Sequence, residues 1–450
     1  MSCRESDETS RIFRGTFVHA TAKEPLEICE DRILGVTDGK IQFIGGADEL
    51  SSLCTEYNFI AEDVQQLNEG QFLIPGFVDT HFHAPQYPYT GTGMDLQLLG
   101  WLEKYAFPVE SKYADADFAK RMYDKAVRHS LKWGTTTASY FATIHTEATL
   151  ELAKVAAKRG QRAFVGKVNM DQNSPKFYIE STEESLRETE RFIAELKKLN
   201  LPRITPVITP RFSPSCTVEL LEGLGKLAKR YDLPIQSHMS ESAEECELAV
   251  SLFPDYKNDT EVHDRSGLLT DKTYMAHCLC LSDEEIDIVR QRGCGIAHCP
   301  SSNTAVRSGM FDVRKMLNAK VKIGLGTDVA GGYQPSILDA IRQAIIVSKL
   351  LSLNKPSDYQ SIEYREAFML ATLGGSQVLG LDDKIGNFEV GKEFDALLID
   401  VCCEDSPFDV INDLYTDNIE DKVQKFLYLG DDRNIKEVYV CGERVKEPKT

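Results

Sequence analysis

Residues 72–83 read Phe-Leu-Ile-Pro-Gly-Phe-Val-Asp-Thr-His-Phe-His, an apolar run that closes on two histidines one residue apart. Its composition predicts a strand. In a strand, residues i and i+2 project to one face, so His81 and His83 point together at a spacing suited to a single metal ion. Taken alone, such a pair reads equally well as two neighbouring surface or core histidines. The runs that follow decide between the two. Further short apolar runs at 135–141, 162–168, 204–209, 234–238, 273–277, 295–298 and 321–327 alternate with charged stretches of helical period, such as 182–199 and 218–231. Strand–helix alternation repeated in this way predicts an α/β chain folded as a (β/α)8 barrel of the TIM type. His238 and His277 close their runs and Asp328 follows the last one. All three therefore fall on the C-terminal rim, where barrel enzymes assemble side chains from several strands.

The two ends of the chain read differently. Residues 11–19 and 32–45 are strand-like, the latter folded at Asp38-Gly39, a strong hairpin dipeptide. Strand-like segments return at 394–400, at the apolar stretch 425–429, and at 437–445 around a Cys-Gly turn. Neither end can cover both faces of a sheet by itself. The expectation is one small β-sandwich built from 1–71 and 376–450, with the barrel, 72–375, inserted between them.

The chain has 450 residues, 42% apolar and 27% charged, an ordinary globular profile. Its net charge of −19 repels phosphate backbones and anionic lipid, so neither a nucleic acid nor a membrane surface is expected as partner. No apolar run is long enough to span a bilayer. The first ten residues are polar and acidic, unlike a signal peptide, and the tail Glu447-Pro448-Lys449-Thr450 lacks the apolar end of a C-terminal peptide ligand. The twelve cysteines show no framework spacing and no C-x-x-C pair, which reads as reduced thiols in the cytoplasm.

Imidazoles with one carboxylate suit Zn²⁺, with Fe²⁺ next, rather than Ca²⁺ or Mg²⁺. Cys278 and Cys299 are rejected as ligands, because in a strand each points away from the histidine beside it. His298 either lines the cavity or has a structural, hydrogen-bonded role. Glu241, three residues past His238, is placed to shuttle protons beside a metal-bound water, although Ser-Glu-Ser-Ala-Glu at 240–244 also reads as a helix start. Asp328 has a second role open to it as a cap before Ala330-Gly331-Gly332. Arg211 could use its fork on paired acceptors or serve in a surface ion pair. Trp101 reads as a helix-packing residue.

These segments resemble the amidohydrolase superfamily, which carries His-x-His on the first strand, histidines after the fifth and sixth, and aspartate after the eighth. Longer stretches are similar to its animal guanine deaminase branch: Pro-Gly-Phe-Val-Asp-Thr-His-Phe-His-Ala at 75–84, Thr-Pro-Arg-Phe-Ser at 209–213, Ser-His-Met-Ser-Glu at 237–241 and Gly-Leu-Gly-Thr-Asp-Val-Ala-Gly-Gly at 324–332. The resemblance implies one Zn²⁺ per subunit held by His81, His83, His238 and Asp328. His277 would either ligate the ion or hydrogen-bond its water. Glu241, Asp328 and His277 would be the catalytic groups, and His83, Gln86, Arg211, Phe212, His238, Glu241 and Asp328 would line the substrate. It further implies zinc-hydroxide hydrolysis of guanine to xanthine and ammonia in purine catabolism, by a cytoplasmic homodimer. Two other readings compete with this one: an amidohydrolase for another heterocycle such as 8-oxoguanine, cytosine or a triazine, and a scaffold barrel that has lost its metal. The zinc deaminases of nucleic acid need His-x-Glu with Pro-Cys-x-x-Cys, and the sequence has neither such a matching pair nor a basic surface.

Overall fold

The computed structural model describes residues 10–410 and 418–446. The expectations for the extreme N-terminus and for the tail at 447–450 lie outside the described residues.

The parallel strands expected in the middle of the chain form, with nearly the expected bounds. Phe77–His83, Thr135–Phe141, Arg162–Gly166 and Ile204–Pro206 make one four-stranded parallel array in chain order. Ile235–Met239, Thr273–His277, Gly295–His298 and Lys322–Leu325 make a second. The short pair Val168–Asn169 and Thr209–Pro210 carries the third and fourth strands onward. On one side the arrays meet through bridges from Ile208 to Ile235 and from Phe212 to His238. On the other, the Thr80 hydroxyl donates to the Leu325 carbonyl at 2.9 Å and the Asp328 amide to the His81 carbonyl at 2.8 Å. All these strand ends therefore lie together.

The intervening helices start where capping chemistry allows. Ser181 accepts from the Glu184 amide at the head of Thr182–Lys198, and Thr217 from the Leu220 amide at the head of Val218–Tyr231. The first buries Phe192, Ile193 and Leu196 on one face, and the second buries Leu220, Leu221 and Leu224.

The run at 72–83 proves to be two strands. Gln71–Pro75 pairs antiparallel with Ala396–Asp400 and parallel with Arg11–His19, whereas Phe77–His83 belongs to the first parallel array. Pro75 and Gly76 make the break. A Cβ on Gly76 would sit 2.1 Å from the Thr136 hydroxyl, so the crossing point accepts no side chain. The two ends of the chain do pair. They form an eight-stranded sheet in which Arg11–His19, Glu27–Thr37, Lys40–Gly46 and Val64–Gln66 join Gln71–Pro75, Ala396–Asp400, Ile435–Val440 and Glu443–Arg444. The Asp38-Gly39 hairpin forms with φ of 51° and 77° at its two central residues, the positive pair that such a turn needs. Phe13, Phe17, Leu34, Phe388, Phe394 and Tyr439 fill one apolar cluster against this sheet.

The stretch 425–429 is not a strand. It completes the helix Ile419–Leu429, capped by Asn418, with Val423, Phe426 and Leu427 buried at helical spacing. Five residues were too short a window to distinguish the two periods. The terminal sheet is fastened to the parallel strands by Arg162, whose Nη2 lies 2.6 Å from Glu393 and 3.1 Å from Asp395.

Candidate active site

The strand ends bring His81, His83, His238, His277 and Asp328 into one buried cluster. One ligand atom from each of His81, His238, His277 and Asp328 lies within 4.8 Å of the others. His83 stands beside this quartet, its Nε2 3.0 Å from His238 Nε2 and 3.5 Å from Asp328 Oδ1. His81 Nε2 is 3.1 Å and His277 Nε2 3.7 Å from the Asp328 carboxylate. The backbone is bent to achieve this: φ is 51° at Ser240, 72° at His277 and 46° at Asp328. Such left-handed geometry costs a non-glycine residue about 1–2 kcal/mol, and it gathers at functional sites.

The donor set fits a divalent ion. His238 Nδ1 donates to the Arg211 carbonyl at 2.5 Å, and His277 Nδ1 to Asn303 Oδ1 at 2.8 Å. Each bond fixes the tautomer and leaves the Nε2 lone pair facing the cluster. His81 Nε2 and His277 Nε2, both buried, have no hydrogen-bond partner among the described residues. Burial, followed by the neighbouring His81, holds His83 and His238 well below the ordinary imidazole value, so they stay neutral. Burial would raise the Asp328 carboxyl, but His81, His277 and His83 outweigh it and keep it far below the ordinary carboxylate range. These imidazoles and one carboxylate form a set for zinc or a similar borderline cation.

Glu241 Oε2 lies 3.5 Å from His277 Nε2. Burial raises its carboxyl above the ordinary value, with Asp328 adding to the rise and His277 opposing it, which suits a group that takes and returns a proton. It precedes the helix Ala243–Leu252, whose cap is Ser242 rather than Glu241. Asp328 caps no helix: the next one, Ile337–Ser352, starts from Ser336.

Beside the cluster lies a cavity of about 430 Å³, counted out to its open mouth. Gln86, Trp101, Leu102, Arg211 and Phe212 line it together with His83, His238, Glu241 and Asp328. Arg211 is only 3% exposed and is not a surface ion-pair partner. Its guanidinium is gripped by Glu110, Nη1 at 2.6 Å from Oε2 and Nη2 at 3.1 Å from Oε1. Glu110 also accepts from Gln86 Nε2 at 2.8 Å. His298 does not line the cavity, and neither of its ring nitrogens has a hydrogen-bond partner among the described residues; it stacks on Phe311 with ring centroids 4.6 Å apart. Cys278 and Cys299 are buried outside the ligand group, as expected. Sequence reasoning missed Glu110 and Asn303, and it gave Trp101 only a packing role. The one signal for Glu110 was an acid closing the otherwise apolar stretch Ala-Phe-Pro-Val at 106–109.

The amidohydrolase family model matches residues 72–445, from the terminal-sheet strand Gln71–Pro75 through the rim strands to the end of the terminal sheet. The chain belongs to the amidohydrolase family. Among amidohydrolases it is 54% identical over 438 residues to a guanine deaminase of Mus musculus, covering 96% of each chain. To a guanine deaminase of Homo sapiens it is 52% identical, covering 99% of this chain and 98% of the other. Among solved amidohydrolases, it is similar to a guanine deaminase from C. acetobutylicum crystallised with bound guanine in the active site. That match has a TM-score of 0.88 and 38% identity, over 97% of this chain and 99% of the other. These lengths cover both the rim cluster and the terminal sheet.

Proposed function

We propose that this amidohydrolase hydrolyses guanine to xanthine and ammonia, a step of purine catabolism. One observation carries the reading: the buried His–Asp cluster and the Arg211–Gln86 wall face each other across a single cavity, in a chain whose full-length relatives are guanine deaminases. His81, His83, His238 and Asp328 would hold the cation, one Zn²⁺ per subunit, with His277 as a further ligand or as the partner of its water. When bound, such an ion supplies the Lewis acidity that brings the pKa of a water to about 7.

The chain's own groups do the rest. Arg211 and Gln86 bind the ring edge remote from C2, the carbon that bears the exocyclic amine, and Phe212 adds a ring contact. Asp328 accepts a proton from the attacking water. The water oxygen bonds to C2 as Glu241 delivers a proton to the adjacent ring nitrogen, making that carbon tetrahedral. Asp328 then passes its proton to the amine, and the C2–N bond breaks to release ammonia. The C2 hydroxyl returns a proton to Glu241 and leaves the carbonyl of xanthine. Trp101 and Leu102 cover the cavity and exclude competing water. His277 either ligates the ion or bonds the attacking water; its Nε2 lies within 3.7 Å of both Glu241 and Asp328 and serves either role.

The parallel strands, which start at Phe77 rather than at 72, are read as a closed (β/α)8 barrel, and the terminal sheet, to which Gln71–Pro75 belongs, as the small sandwich of the two chain ends. Supporting the barrel, hydrogen bonds join the first and eighth strands as well as each neighbouring pair. A homodimer in the cytoplasm completes the proposal. Among the described residues no helix is long and apolar enough to cross a membrane. The test is incubation with guanine, following xanthine and ammonia with and without a chelator. Equal amounts of both products, abolished by the chelator and restored by Zn²⁺, are expected; absence of both would refute the reading.

A further inference from the structure

We propose that Glu110 is a positioning and specificity-determining residue, which neutralises Arg211 and orients Gln86 so that the cavity takes uncharged purines and refuses purine anions. The proposal rests on the guanine reading above. Glu110 is fully buried at the end of the helix Phe107–Glu110 and does not line the cavity; it lies behind the two side chains that do. Both its oxygens hold the Arg211 guanidinium, and one also accepts from Gln86 Nε2. Gln86 Oε1 is occupied in turn by the Ala330 amide at 3.1 Å. With both ends of its amide engaged, Gln86 has one orientation. Arg211 lies over the Phe107 ring at 5.0 Å, which fixes the plane of its fork.

The charge balance follows. A buried guanidinium without a counter-charge is a strong anion site, whereas a guanidinium bound by a carboxylate through two hydrogen bonds offers directional donors and little net charge. The other titratable groups around the pair add none. Burial pushes the phenols of Tyr89, Tyr113, Tyr123 and Tyr178 well above their ordinary value, and burial lowers His145. Across the cavity stand Asp328 and Glu241, whose carboxyl groups add no positive charge. Guanine is uncharged near neutral pH, while xanthine carries an imide-type ring N–H and ionises more readily. A neutral wall binds the substrate through hydrogen bonds and releases the anionic product.

The experiment compares zinc-loaded wild type and Glu110→Gln, the isosteric change. Expected are unchanged zinc content, a rise in KM for guanine of roughly 100-fold, a fall in kcat of less than about tenfold, and tighter inhibition by anionic xanthine of at least about tenfold. Wild-type KM and inhibition in the variant would overturn the proposal, and so would a fall in kcat alone. If the variant does not fold, calorimetric binding of xanthine to the wild type answers instead. Affinity should weaken as pH rises through the ionisation of xanthine, and constant or rising affinity would overturn the proposal. Failure of the guanine reading is separate: it would appear as a wild type that releases no ammonia from guanine, whereas xanthine binding needs no turnover.

Discussion

His83 and His238 face each other Nε2 to Nε2 at 3.0 Å. Nδ1 of His238 already donates to the Arg211 carbonyl, so its Nε2 presents a lone pair toward His83, which a cation shared by the two rings would take up. Replacing either histidine with alanine should lose metal and turnover together. Asn303→Ala, which frees the His277 ring, should lower metal affinity by about 10–100-fold and leave some activity. Metal content by elemental analysis, read beside guanine turnover, checks both expectations; full zinc occupancy in His83→Ala would contradict the first.

Glu241→Gln should separate binding from chemistry. The amide keeps the shape of the side chain but cannot carry the proton, so turnover should drop by about 10²–10⁴-fold with zinc content unchanged. A wild-type rate in this variant, measured with guanine, would remove Glu241 from the proton path.

Arg162→Ala should cost about 3–5 kcal/mol of stability, because it leaves Asp395 buried without its counter-charge. Urea denaturation checks this. A midpoint equal to that of the wild type would mean that the pair holds nothing.

Asp259 and His263 predict a pH window. Burial opposes both charges, yet His263 and the hydrogen bonds from Ser213 and Ser240 hold the Asp259 carboxyl below its ordinary 3.8, and Asp259 holds His263 above 6.5. The Asp259 contribution is complete above pH 3.8 and is lost as pH falls through the folded value. The His263 contribution is complete below pH 6.5 and is lost as pH rises through its folded value. The stability difference between wild type and His263→Gln should therefore be largest from pH 3.8 to 6.5, about 3 kcal/mol, and shrink in alkali. Denaturation midpoints across that range test it; a difference that grows with pH would contradict the sign.

The strands and the rim cluster were legible because each rim residue ends its own apolar run, so periodicity and position agreed. The break at Pro75-Gly76 was not legible, since 72–83 is apolar on both sides of it and only the long-range partner Ala396–Asp400 tells the halves apart. The helix Ile419–Leu429 was missed because only its last, apolar part was considered, without Asn418 at its head. Glu110 escaped for a different reason. Its partners Gln86 and Arg211 are 24 and 101 positions away, and a lone acid in an apolar stretch carries no period.

The crossing at Gly76 ties together two tasks that the chain could have kept apart. A single uninterrupted stretch of backbone serves first as a rung of the outer sheet and, one residue later, as the rail that carries both imidazoles of the His-x-His pair. Slippage in the outer sheet by one position would turn that rail over and aim the imidazoles at the apolar interior. The sheet made by the chain ends is therefore the jig against which the catalytic rim is aligned, and damage remote from the cavity should be felt there as a loss of bound metal.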